Sequence, residues 1–231
     1  MIMTLKTWFG ILFIGFIFIL GLFAPFIGID PLKMDYQLMG TPQPPSWAHL
    51  LGTDELGRDI FIRCIYGGRI SLLVGFVAVS ISILIGVIVG VTSGYLGGVV
   101  DEIIMRIIDM LMAIPTLFLI LIIQVLLEPN IINVMVVIGV SSWMGVARIV
   151  RAEVLSLKQR EFILSARSRG ILELKILFKH LLPHSLNPVI VAAMLGMGGA
   201  ILTESVLSFL GLGVQPPHAS WGNMLENSLG Y

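Results

Sequence analysis

Side chains able to do chemistry are few and far apart in this chain of 231 residues. Of its histidines, His49, His180, His184 and His218, only His180 and His184 stand four residues apart, the spacing that stacks two imidazoles on one helix face. They straddle Pro183 with no carboxylate beside them, so they read as interfacial histidines and not as a metal pair. No His-Glu-x-x-His run is present, and no glycine-rich loop ends in Lys-Ser or Lys-Thr, which excludes nucleotide binding by that route. Cys64 is the single cysteine, so neither an intrachain disulfide nor a cysteine metal cluster can form; it reads as a small apolar residue. No nucleophile and base sit at helical spacing, and no catalytic, cofactor-binding or metal-ligating residue is assigned. Among acids bordering apolar runs, Asp109, Glu128 and Glu204 do not form the ladder a proton relay would need. Glu204 has two readings: it lines a pathway, or it pairs with a loop arginine or backbone donors.

The elements that carry these residues are membrane helices. Hydrophobic residues make up 57% of the chain and charged residues 12%, against roughly a quarter charged in soluble domains, and the mean hydropathy is +0.99. Lys6 and Asp30 enclose 23 uncharged residues, enough for a helix to cross a ~30 Å hydrocarbon core. Arg69 and Asp101 enclose 31, read as one long helix with a glycine exit at Gly97 and Gly98. Two further runs, Met110 to Leu127 and Pro129 to Ala147, turn tightly around Glu128, Pro129 and Asn130, and a last one follows Pro188 to about Leu207. Five spans result. Gly86, Gly90 and Gly94 lie on one face of the second span and predict close contact with another helix; Pro115 predicts a kink in the third.

Net charge is zero, with 14 basic and 14 acidic residues, so nothing points to nucleic acid. The zero hides an asymmetry. Between Arg148 and His180 stand eight basic residues and three acids, leaving six basic and eleven acidic elsewhere. The positive-inside rule places residues 148–180 in the cytoplasm and, counted back through four crossings, the N-terminus too. Residues 30–69 and the tail after Ser208 then face outside. Within the basic stretch Leu157, the adjacent pair Phe162 and Ile163, Ala166, Ile171, Leu174 and Leu177 recur at roughly helical intervals and Gly170 interrupts them, predicting a short amphipathic helix, a glycine turn and a second helix leading to the membrane.

The run from Glu161 to Gly170, with Pro183 thirteen residues later in His-Leu-Leu-Pro, resembles the "EAA" loop of ATP-binding cassette (ABC) importer permeases. It matches at Ala166, Gly170, Leu182 and Pro183 and departs at Leu164, Ser165 and His180, where the family pattern has Glu, Ala and Ile. Gly52-Thr-Asp-Glu-Leu-Gly-Arg-Asp59, Tyr66-Gly-Gly-Arg-Ile-Ser-Leu72, Asp101-Glu102, Ala113-Ile-Pro115, the run from Leu207 to Pro217 and Ser220-Trp-Gly-Asn223 follow in the order of the dipeptide/oligopeptide/nickel branch, second permease subunit.

The resemblance implies an all-α polytopic type I importer permease without chemistry of its own, in a bacterial or archaeal plasma membrane, forming the pathway for peptides, nickel or a related small solute. Its parts are a first helix over 1–29, an extracytoplasmic loop over 30–69 and a core over 70–231 with a coupling loop at 148–183. The implied partners are a second permease, two ATPase subunits docked on that loop, and an extracytoplasmic solute-binding protein. Glu161, Ala166, Gly170, Leu182 and Pro183 are the implied coupling residues, and Glu204 a pathway candidate. The family normally adds a sixth membrane helix after Ser-Trp-Gly-Asn, so a missing last helix is expected here. The competing reading from the residues is a channel or scaffold whose basic loop binds anionic lipid.

Overall fold

The computed structural model describes Leu12, Gly15, residues 19–21 and residues 30–228, without the side chain of Asn227. Helices dominate: α1 Ile60–Leu96, α2 Gly98–Met112, α3 Thr116–Val125, α4 Ile131–Lys158, α5 Glu161–Ser168, α6 Glu173–Ile176, a π-helical turn Leu177–Leu181, α7 Leu182–Ser185, α8 Asn187–Phe209 and α9 Trp221–Asn227. Among the described residues extended pairing is confined to an isolated bridge between Thr53 and Asp59. Among the described residues three helices, α1, α4 and α8, are long and apolar enough to cross a membrane. The first expected span lies outside the described residues except at the five positions named.

The third span, expected over Met110 to Leu127, is not one helix. α2 and α3 meet at 78° around residues 113–115, a broken span or re-entrant pair. Pro115 lacks a backbone N–H and its ring disfavours helical geometry in the residue before it, so α2 ends and α3 starts afresh. The basic stretch also differs from expectation, because α4 continues through Arg148, Arg151 and Lys158 before the chain turns.

The chain folds as two compact units, residues 1–74, 129–131 and 204–231 in one, and 75–128 and 132–203 in the other. The second unit is built on close approach of α1 and α4. A Cβ placed on Gly86 would come within 2.6 Å of Val146 Cβ, one on Gly90 within 2.5 Å of the Ala147 carbonyl oxygen, and one on Gly94 within 3.0 Å of the Arg151 carbonyl oxygen. Gly139 of α4 returns the arrangement against Ala78 and Ile81 of α1. In lipid, where tails are as apolar as side chains, such backbone proximity and its dispersion contacts hold helices together. The buried stripe of α4 follows from it: Val134, Ile138, Ser141, Met144, Ala147, Val150, Val154 and Leu157 recur every three or four residues.

In the first unit a polar turn starts α1. Asp54 accepts from the backbone N–H groups of Leu56 and Arg58 and from Arg58 Nε at 2.7 Å. Asp59 accepts from the Ile62 N–H in the first helical turn and contacts His49 Nδ1 at 2.9 Å. Gly57 supplies the positive φ of 68°. Further along the chain, α9 opens with a capping box between Ser220 and Asn223, and the Trp221 indole N–H donates to the Cys64 carbonyl of α1 at 3.0 Å.

Replacing Gly90 by Leu forces a side chain into space that backbone and Val150 occupy. A loss of about 1–3 kcal/mol in unfolding free energy is expected, read as a lower thermal midpoint of the purified chain in detergent. Gly198 has no neighbour within 4 Å, so Gly198→Ala should leave that midpoint unchanged or raise it.

Candidate functional site

α5 is a two-faced helix. Ile163 and Ala166 are buried in a cluster with Leu157, Ile176 and Leu181, while Glu161, Phe162, Leu164, Ser165, Ser168 and Arg169 are exposed. Leu164 leaves 48% of its surface uncovered. Gly170 then turns the chain with φ +74°, a conformation side chains with a Cβ rarely adopt, and its N–H closes on the Arg167 carbonyl. α6 follows, and Ile176 comes back to the same cluster.

The second half of the segment is irregular for a definable reason. Pro183 has no N–H to offer the carbonyl four residues before it, and ahead of it the ladder widens into the π turn Leu177–Leu181, where Leu182 N–H reaches the Leu177 carbonyl. Leu182 is half-buried and Pro183 exposed. The His180–His184 spacing yields an intrahelical contact, His184 Nδ1 to the His180 carbonyl at 2.7 Å, and the His184 ring tilts against Phe162 with centroids 5.5 Å apart. No cluster of three metal-ligating side chains occurs among the described residues.

Polar side chains tie this segment to the C-terminal end of α1. Lys158 Nζ donates to the carbonyls of Gly94 and Tyr95 at 3.2 and 2.9 Å, a cation at the negative end of a helix. The Tyr95 hydroxyl donates to Glu173 Oε2 at 2.7 Å, and Arg167 Nε donates to Glu173 Oε1 at 2.9 Å. The Tyr95 hydrogen bond first, and Arg167 second, hold the Glu173 carboxyl below its ordinary range, so its charge is present at neutral pH and these contacts weaken as pH falls below that range. Nearby, Arg151 makes a two-point pair with Asp101, which Ser93 also contacts, and Arg148 pairs with Asp109.

Glu204 belongs to the first unit, where it is fully buried. Among the described residues its partners are hydroxyls and not an arginine or backbone N–H: Ser71 Oγ donates at 3.0 Å and Ser208 Oγ at 2.7 Å. The network continues outward, with Val214 N–H donating to Ser208 Oγ at 2.9 Å and Trp221 N–H to Ser71 Oγ at 3.3 Å. One carboxylate thus links α1, α8 and the segment that leads into α9.

Of the residues singled out from sequence, Ala166 and Gly170 are brought together as core contact and turn of one small unit, with Glu161 on its exposed first turn and Leu182 and Pro183 at its exit. Glu204 does not join them; its hydrogen bonds are those of its own network. Sequence reasoning missed Tyr95, Lys158 and Glu173, which lie up to 78 positions apart. Their only sequence signal was polar character next to apolar runs.

A helical chain whose described residues hold three apolar spans, a bent helix pair and an amphipathic segment between the last two spans is a polytopic membrane protein. Residues 71–231 match the binding-protein-dependent transport system inner membrane component, and the chain belongs to that family. It is similar to the dipeptide transport system permease protein DppC of Bacillus subtilis (strain 168), at 43% identity over 220 residues, covering 95% of this chain and 68% of the relative. The oligopeptide transport system permease protein OppC of the same organism is 40% identical over 223 residues, covering 95% and 72%. The di/tripeptide transport system permease protein DppC of Pseudomonas aeruginosa (strain UCBPP-PA14) is 38% identical over 229 residues, covering 96% and 75%. The chain is accordingly a permease subunit of an ABC importer, a transport component of the membrane.

The Glu204 network gives a stability prediction. Glu204→Ala leaves the Ser71 and Ser208 hydroxyls without their acceptor and should cost about 1–3 kcal/mol, with Glu204→Gln, which keeps one acceptor oxygen, costing less. Thermal melts followed by tryptophan fluorescence would check the order.

Proposed function

We propose that the chain is one of two permease subunits of a peptide importer, driven by two separate ATPase subunits that bind the exposed face of α5. Peptides are the solute class carried in the names of its relatives. The observation that carries the reading is the construction of α5: a helix whose inner face is buried on its own base while Leu164, Ser165 and Ser168 stay open to a partner. A docking element needs apolar side chains for a groove and charges to set orientation, and Glu161 and Arg169 flank the open face.

Orientation follows from charge. Arg148, Arg151 and Lys158 are used on α2 and α1, but Arg160, Arg169, Lys175 and Lys179 remain exposed, which supports a cytoplasmic position for residues 148–183 and for the N-terminus. Residues 30–69 and the tail after Ser208 then face the solute-binding protein on the other side. Gly170 sets the turn behind α5, Ala166 seats it, Glu161 starts it, and Leu182 with Pro183 carry it to α8. Transport proceeds by alternating access: ATP binding and hydrolysis change how the ATPase subunits hold α5, and the difference in docking energy shifts the pathway between its two sides. Glu204, buried between Ser71 of α1 and Ser208 of α8, borders that pathway in this reading.

Leu164→Asp should weaken ATPase co-purification with the permease pair about tenfold or more, the scale of losing one apolar anchor, with membrane insertion and thermal midpoint retained. Gly170→Pro and Ala166→Glu should abolish uptake by disturbing the turn and the seat. Normal ATPase binding by all three variants would sink the docking assignment, and a chain that purifies with neither a second permease nor an ATPase is a lipid-binding scaffold.

A further inference from the structure

Displacement of α5 reaches the membrane through what touches it, and besides its direct chain link and Leu157 contact with α4, two routes leave the segment. One follows the chain through the π turn Leu177–Leu181 and Pro183 into α8. That route is compliant, since a widened ladder and a proline each remove the regular i to i−4 bonding that makes a helix stiff.

The other route runs sideways into α1. Tyr95, in the last turn of α1, packs against the cluster of Leu157, Ile163, Ala166, Ile176 and Leu181 that seats α5. It packs equally against Val150, Val154 and Val189, the cluster shared by α4 and α8. Its hydroxyl donates to Glu173 at 2.7 Å, which Arg167 of α5 also holds. Lys158, at the end of α4, bonds the two carbonyls flanking this point, Gly94 and Tyr95, with its ammonium 5.9 Å from the Tyr95 ring centroid. Packing alone would leave α5 free to slide on an apolar surface, because dispersion contacts have little directionality. The directional contacts remove that freedom at one spot: Arg167 of α5 and Tyr95 of α1 share the Glu173 carboxylate of α6, while Lys158 pins the same turn of α1 to the end of α4. α1 is also the longest helix, 37 residues and so about 55 Å at 1.5 Å per residue, longer than a bilayer core.

We propose that Tyr95, Lys158 and Glu173 are positioning residues: Glu173, held by Arg167, joins α5 to Tyr95 at the end of α1, and Lys158 holds that end of α1 on α4, so that movement of the docked segment is delivered to α1 there as well as along the chain into α8. This rests on the reading of α5 as the ATPase-docking element. ATP hydrolysis itself does not need the joint; conversion of each hydrolysis into a conformational change of the membrane helices does.

The test uses the whole importer, both permeases, both ATPase subunits and the binding protein, in proteoliposomes. ATP hydrolysis and uptake of radiolabelled dialanine are measured on the same preparation. Lys158→Met and Glu173→Gln are each expected to keep ATPase subunits bound and hydrolysing while uptake per ATP falls about tenfold, within the usual range of coupling free energies. Lys158→Arg, which can still donate to both carbonyls, restores most of the loss, and Tyr95→Phe, which keeps the packing and loses the hydroxyl, reproduces the Glu173→Gln defect. A residue with a merely structural role lowers the amount of complex and leaves uptake per ATP alone. Unchanged uptake per ATP in both Lys158→Met and Glu173→Gln, or loss of the ATPase subunits from them, overturns the inference while leaving the docking reading standing. A wild-type complex that neither binds ATPase subunits nor shows ATP-driven dialanine uptake overturns the docking and peptide reading, and the inference with it.

Discussion

Close approach of α1 and α4 over Gly86, Gly90 and Gly94 is the constraint on which the second unit depends. With side chains absent at these three positions, Val146, Ala147, Val150, Arg151 and Val154 come down onto the α1 backbone. That register brings Lys158 to the carbonyls that end α1. It also places Arg151 against Asp101 just beyond the Gly97–Gly98 turn. A Cβ at any of the three would separate the helices and draw these polar groups apart together, so an apolar feature governs an electrostatic one. In lipid this ordering is reasonable, because ion pairs are short-range fasteners and the dispersion contacts of a long interface set where they can form.

The amphipathic segment shows how a small element can be both rigid and available. Helices of four to eight residues are not stable alone. α5 and α6 persist because Ile163, Ala166 and Ile176 share one buried cluster with Leu157 of α4 and Leu181 of the π turn. Everything not used in that cluster is left on the outside, which is what a partner requires. The cost of the short helices is thus met by tertiary burial, and the Leu164 side chain remains exposed on the outer face of α5.

The first unit uses the opposite material. Glu204, Ser71, Ser208, Ser220 and Asn223 are buried polar groups, each hydrogen-bonded, linking α1 and α8 to the chain that runs into α9. Buried polar groups at membrane depth are tolerated when they satisfy one another. The Ser220–Asn223 capping box and the Trp221 indole on the Cys64 carbonyl extend this linkage to the tail. The segment Ser220-Trp-Gly-Asn223 therefore reads as a structural clasp: Ser and Asn for the cap, Trp for α1, and Gly222 where Ser205 passes too close for a Cβ.

Much of the architecture was written in local pattern. Uncharged run lengths gave α1, α4 and α8, because a helix must satisfy its own backbone in lipid and apolar length is then the controlling variable. Periodicity around Gly170 gave α5, the glycine turn and α6, and the four-residue glycine spacing gave the contact face of α1. Pro115 announced a departure, yet its 78° extent depends on how α2 and α3 pack and not on proline alone. Charge counting treated residues 148–158 as part of a loop, since Arg and Lys are read as solvated until a partner such as Asp101, Asp109 or a helix end is seen beside them. What tertiary structure alone decided is pairing across distance: Tyr95 with Glu173, Lys158 with the end of α1, Glu204 with Ser71. Such contacts follow from helix register and crossing, which no spacing within a single segment encodes, and they determine which of the polar residues legible in the sequence act together.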